Sequence, residues 1–114
     1  MTVTTRKKLP ARRKSEVIEL SHILSNGNSQ QYFASVGRYA DGSIGEIFLD
    51  MGRQSNEVAN LARDAALILS IALQYGVPIE EMRASAGRSE SGNPHSVIGT
   101  ALDLLASEAI EVRA

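Results

Sequence analysis

Two histidines, His22 and His95, are the only imidazoles in this chain, and there is no cysteine. Imidazole and thiolate are the usual zinc ligands and among the commonest nucleophiles and proton carriers. The lack of cysteine excludes disulfides, thiolate zinc sites and cysteine nucleophiles. His22 falls in a stretch with strand patterning and reads as a structural or surface residue. His95, between Pro94 and Ser96, stands where a ligand at a helix start could be reached, and reads first as a loop residue.

The polar loop Arg88 to His95 (RSESGNPH) is the other candidate for chemistry. With Gly87 it superficially resembles a phosphate loop, but it lacks the Lys-Ser/Thr ending and follows no strand. The spacing of a nucleophile elbow is missed by one residue. Arg88, Ser89, Ser91, Asn93 and His95 before a helix start at Ser96 could hold an anion; an ordinary exposed loop is the simpler reading. Arg63-Asp64 and Glu80-Glu81 are adjacent on helices, so neither pair faces itself as a shared-proton site would. The residues therefore predict no catalytic site, no cofactor site and no metal site.

Charge is laid out unevenly. Arg6, Lys7, Lys8, Arg12, Arg13 and Lys14 fall in the first 14 residues with no acid among them, and no lysine follows. The other 100 residues carry six basic and 13 acidic groups, a net of −7. Residues 1–14 are read as a basic, disordered arm on an acidic body. Its six cations are candidate contacts to phosphate or nucleic acid; a solvated tail or docking on an acidic neighbour are the other readings. No aromatic is interleaved to stack on a base.

Residues 15–114 are the length of one domain, with an aliphatic core, since only 4% of the chain is aromatic. Strand patterning covers Glu16 to Leu24, Gln31 to Tyr39 and Ser43 to Met51. Asn26-Gly27-Asn28 and Asp41-Gly42 mark the turns, with Gly42 expected at positive φ. In the third strand Ile47, Leu49 and Met51 share one face, with Ile44 and Phe48 on or near the other. Helices are expected over Glu57 to Tyr75, capped by Ser55 or Asn56, over Pro78 to Ala86, and from Ser96 to a frayed end at EVRA. The fold class is α+β, a three-stranded antiparallel meander followed by three helices on one face.

The first helix is apolar almost all round. Val58, Leu61, Ala62, Ala65, Leu69, Ala72 and Leu73 follow helical spacing, Ala66, Leu67, Ile68 and Ile71 fill the rest, and Asn60, Arg63, Asp64, Ser70 and Gln74 leave a thin polar line. Such a helix needs cover on more than one side. Leu67, Ile68 and Ile71 are the candidate interface residues, and a homodimer is the expected assembly.

The runs YADGSIGEIFLDMG, RDAALILSIALQYGVPIEEM and GNPHSVIGTALDLLA resemble the TSCPD domain, the module at the C-terminal end of vitamin B12-dependent ribonucleotide reductases and found alone in small bacterial proteins. The opening KKLPARRKSEVIEL is similar to the family's entry segment, so the resemblance covers nearly all of residues 7–106. It implies no reductase activity here. That chemistry belongs to a large barrel domain with cysteines and a cobalamin site. The family's namesake motif holds a cysteine that this chain lacks, and no catalytic residue maps onto it.

The expectation is a non-enzymatic binding or regulatory module acting by protein–protein contact. It would self-associate or dock on a bacterial partner such as a ribonucleotide reductase. A small nucleic-acid-binding regulator using the basic arm is the alternative. No signal peptide or membrane span is seen, which fits the cytoplasm.

Overall fold

The computed structural model describes residues 5–51 and 56–113, with side chains as far as residue 108. Strands β1 (Ser15–Ile23), β2 (Ser29–Arg38) and β3 (Ile44–Asp50) precede helices α1 (Glu57–Gln74), α2 (Ile79–Ser85) and α3 (Val97–Arg113). The sheet is an antiparallel meander in the order β1-β2-β3. The α+β architecture read from the sequence is the one observed. Helix α3 continues to Arg113, past the point where fraying is expected.

Turn chemistry explains the β2–β3 connection. Asp41 Oδ1 accepts the Ser43 amide at 2.9 Å, and the Gly42 amide donates to the Tyr39 carbonyl at 2.9 Å. Gly42 then sits at φ +89°, the left-handed region that strains residues with a Cβ.

One face of the sheet carries Leu20, His22, Tyr32, Ala34, Val36, Ile47 and Leu49, all buried. The opposite face shows Val17, Phe33 and Phe48, all substantially exposed. Ile44 is a correction to the sequence reading, because it is buried with the core cluster. Gly37 pairs with Glu46 but Arg38 pairs with Ile44, so Gly45 is an extra residue in β3. This bulge resets the two-residue alternation and turns Ile44 inward. A Cβ on Gly45 would come within 2.7 Å of the Tyr39 ring, so a side chain has no room there.

Helix α1 starts where Asn56 Oδ1 accepts the Ala59 amide at 2.9 Å; Ser55 lies outside the described residues. It ends where the Gly76 amide bonds Leu73 O and the Val77 amide bonds Ala72 O, each at 3.0 Å, with Gly76 at φ +88°. It buries Ala59, Ala62, Ala66, Leu69, Ser70 and Gln74. Ala66 thus belongs to the core face rather than the remainder. Ser70 and Gln74, read as part of a polar line, are also buried.

They are buried because they bond the outer edge of β3. Ser70 Oγ accepts the Ile47 amide at 2.9 Å and lies 2.9 Å from the carbonyls of Ile47 and Ala66, which share its one proton. Gln74 Nε2 donates to Gly45 O at 3.0 Å. The backbone groups of an edge strand, which would otherwise invite another chain, are thereby occupied. Helix α3 lies beside β1 and α1 on the same sheet face, and α2 packs on α3.

Ser70→Ala should leave the Ile47 amide and carbonyl without their partner at a buried site. The expected cost is about 1–3 kcal/mol. Denaturant unfolding measures it, and amide exchange at Ile47 should quicken more than at Val36; a variant as stable as the parent would remove this account of how α1 is held.

Candidate functional site

The surface of α1 left over after core packing is apolar. Val58, Leu61, Ile68 and Tyr75 are 53%, 69%, 68% and 42% exposed. Ala65 and Ala72 are half-buried between them. The six residues 58, 61, 65, 68, 72 and 75 repeat at alternating steps of three and four, so they form one stripe along the helix. The sequence reading put Val58 and Leu61 with the main apolar run, but they face outward. A three-four repeat beginning at Val58 is the signal that finds them.

Of the expected interface residues, Ile68 lies in this stripe and Ile71 flanks it, half-buried. Leu67 is exposed too, but one residue turns the helix by about 100°, so it points to another side.

Two hollows flank the stripe. One, of about 500 Å³, is walled by Ala65, Ile68, Ala72, Met82, Ala86 and Ile98. The other, of about 510 Å³, runs past Val58, Leu61, Ala65, His22, His95 and Ile98. Ala65 and Ile98 belong to both, so the hollows join into one apolar groove between α1 and the α2–α3 pair. The fold thereby brings His22 and His95 to one groove. Among the described residues, no group of three or more His, Asp or Glu could hold a metal ion.

His22 is buried, and its Nδ1 lies 2.9 Å from Thr100 Oγ1. It sits on the core face because it is two residues from Leu20, a period the strand pattern already contains. Burial disfavours the charged imidazole and pushes its pKa below 6.5.

The cations of the arm divide into two sets. No helix or strand forms over residues 5–14, yet these residues touch the body. The Lys7 amide donates to Gln74 O at 2.8 Å, and Arg6 Nε donates to Gln74 Oε1 at 2.7 Å. Lys7 Nζ stands 4.6 Å from the centroid of the Tyr39 ring, whose hydroxyl donates to the Lys7 carbonyl. Arg13 grips Glu46 through two nitrogens, Nε to Oε2 and Nη2 to Oε1, the latter at 3.1 Å. Glu46 is buried, a position that requires such a partner. Lys8, Arg12 and Lys14 are exposed.

The Arg88–His95 loop is likewise tied to its own chain. Arg88 reaches both carboxylate oxygens of Asp103, and Arg83 Nε reaches Asp103 Oδ1 at 2.7 Å. Hydrogen bonds from Arg88 and then Arg83 hold the Asp103 carboxyl below its ordinary pKa. An anion at this loop would compete with Asp103 for Arg88.

Comparison with known proteins assigns the chain. The TSCPD domain family matches residues 3–106, and the chain belongs to that family. It is 34% identical over 76 residues to a vitamin B12-dependent ribonucleotide reductase of Agrobacterium fabrum, covering 67% of this chain and 6% of the relative. To the protein of that name from Rhodopirellula baltica it is 37% identical over 75 residues, 66% of this chain and 7% of the relative. For Streptantibioticus cattleyicolor the figures are 32% over 75 residues, 66% and 12%. The chain thus spans a small part of these curated relatives. No solved structure matches it.

The His22 environment predicts a pH dependence. The unfolded chain takes up a proton near pH 6.5, and the folded chain does so only at lower pH. The unfolded state therefore binds more protons in that window, and stability falls as pH drops below about 6.5. Denaturant melts between about pH 7.5 and 5.5 should show this slope, and His22→Gln should flatten it.

Proposed function

We propose that this TSCPD-family chain is a non-enzymatic, regulatory binding module whose contact surface is the outer stripe of α1. The observation that carries the reading is the run Val58, Leu61, Ala65, Ile68, Ala72 and Tyr75, apolar at every position and exposed or half-exposed. Full burial of a large apolar side chain is worth about 1.5–3 kcal/mol, and half to two-thirds of Val58, Leu61 and Ile68 remains to be covered. That recovers on the order of 1–2 kcal/mol from each. Association costs at least about 4 kcal/mol, so a partner must cover the groove walls on α2 and α3 as well as the stripe.

The partner is another copy or a bacterial protein such as a ribonucleotide reductase. The named relatives carry a matching segment as a small fraction of a reductase chain. That supports a contact between this module and such an enzyme, with the cytoplasm as the setting. Among the described residues, no helix is long and apolar enough to cross a membrane. The nucleic-acid reading draws less support from the geometry, because Arg6 and Arg13 are bonded within the chain and Lys7 lies over Tyr39.

Ile68→Glu tests the surface. The side chain is mostly exposed, so stability should stay within about 0.5 kcal/mol. Complex formation, measured by light scattering on the protein alone and by titration against the purified reductase of the source organism, should be lost. Wild-type protein that forms neither complex, or a variant that forms both as well as the parent, would reject the proposal. Salt-sensitive binding to a duplex oligonucleotide, abolished by deleting residues 1–14, would favour the alternative.

A further inference from the structure

The geometry points to a second copy of this chain as the occupant of the α1 stripe, seated antiparallel about a two-fold axis between residues 66 and 67. This inference rests on the reading of the stripe as a contact surface and adds the partner and its register. The carrying observation is the order of large and small residues. In an antiparallel pair centred there, Leu61 faces Ala72 of the second copy, Ala65 faces Ile68, and Val58 faces Tyr75. The two-fold repeats each layer in reverse. Each of the two inner layers sets one large side chain against one alanine, which is how facing helices fill a seam without voids or overlap.

A parallel pair has no such match. Its layers would be Leu61 on Leu61 and Ile68 on Ile68, alternating with Ala65 on Ala65 and Ala72 on Ala72. Bulky layers would hold the helices apart and leave gaps at the alanines. Parallel macrodipoles add a further penalty, whereas antiparallel ones attract.

The hollows are a second, independent sign. Ala65 and Ala72 line the groove on the α1 side, with Met82, Ala86 and Ile98 as its far wall. These are the places where the antiparallel register brings Ile68 and Leu61 of the second copy. From Val58 to Tyr75 the stripe runs about 26 Å at 1.5 Å per residue. A standard interface covers roughly 800 Å² per partner, so the stripe must be joined by the groove walls on both copies.

The chain has no cysteine, so engineered thiols report this register without background. Leu61→Cys and Ala72→Cys are made singly, then oxidised alone and mixed. Disulfides need Cα atoms within about 7 Å. The mixture should give a band at twice the 12.3 kDa of one chain, and each variant alone should stay near one chain. Val58→Cys with Tyr75→Cys reads the same register should either first variant fail to fold. Light scattering should give a dimer for the wild type and a single-chain mass for Leu61→Glu. Cross-linking of Leu61→Cys with itself would overturn the antiparallel register. A wild-type mass of 12.3 kDa at about 100 μM would overturn the second copy as occupant. In that event, reductase binding lost in Ile68→Glu would still leave the contact surface standing.

Discussion

The rotation of α1 about its own axis is chosen by hydrogen bonds, because its apolar pattern does not choose it. A helix with apolar groups around most of its circumference could bury any of several faces at similar gain. Only one of those faces carries Ser70 and Gln74, and β3, one of the two edge strands, offers the groups they bond. Ser70 takes both the amide and the carbonyl of Ile47, and Gln74 takes the carbonyl of Gly45. Any other rotation would leave these backbone groups unpaired under a helix and would turn two polar side chains elsewhere. Ala59, Ala62, Ala66 and Leu69 then face the sheet, and Leu61 and Ile68 face out. The outer stripe is a consequence of the inner clamp.

The same clamp fixes the arm. Gln74 is bonded on three sides: its amide nitrogen to Gly45, its side-chain oxygen to Arg6, and its carbonyl to the Lys7 amide. Downstream, Arg13 meets Glu46, the residue next to the Gly45 bulge. The bulge thus turns Ile44 into the core, and its neighbour Glu46, also buried, anchors Arg13. Part of the contrast between basic arm and acidic body is neutralised within the chain. Arg38 does similar work between elements, joining Glu16 of β1 at 3.0 Å and Glu108 of α3 at 3.2 Å.

Element order, strand pairing and the Gly42 turn were legible because each has a local cause: alternation, a turn dipeptide, a cap. Three features of the site were not, and each depends on a contact made across the fold. Ser70 and Gln74 look like a solvent line until β3 supplies their partners. Ile44 follows the wrong alternation until the pairing with β2 reveals Gly45 as the extra residue. Glu46 has no local partner in the sequence, and Arg13, 33 residues earlier, meets it only in the fold. The outward stripe was partly legible. Its three-four spacing is in the sequence, but which of two apolar faces is the core could be decided only by the clamp.

Two kinds of apolar surface on this protein differ in what they can specify. On the open sheet face, Val17, Phe33 and Phe48 are exposed among Glu19, Gln31 and Asp50, a mixture that suits solvent and loose contact. The α1 stripe has no polar position in its register, and its small residues line hollows of about 500 and 510 Å³. A surface that only tolerated exposure would gain nothing from placing alanines between its large residues at helical spacing. Knobs beside holes are of use only against a partner with the reverse order, and a second copy turned end for end has that order by symmetry. In this TSCPD-family chain the self-docking proposed above therefore rests on the order of residues along α1 rather than on apolar area alone.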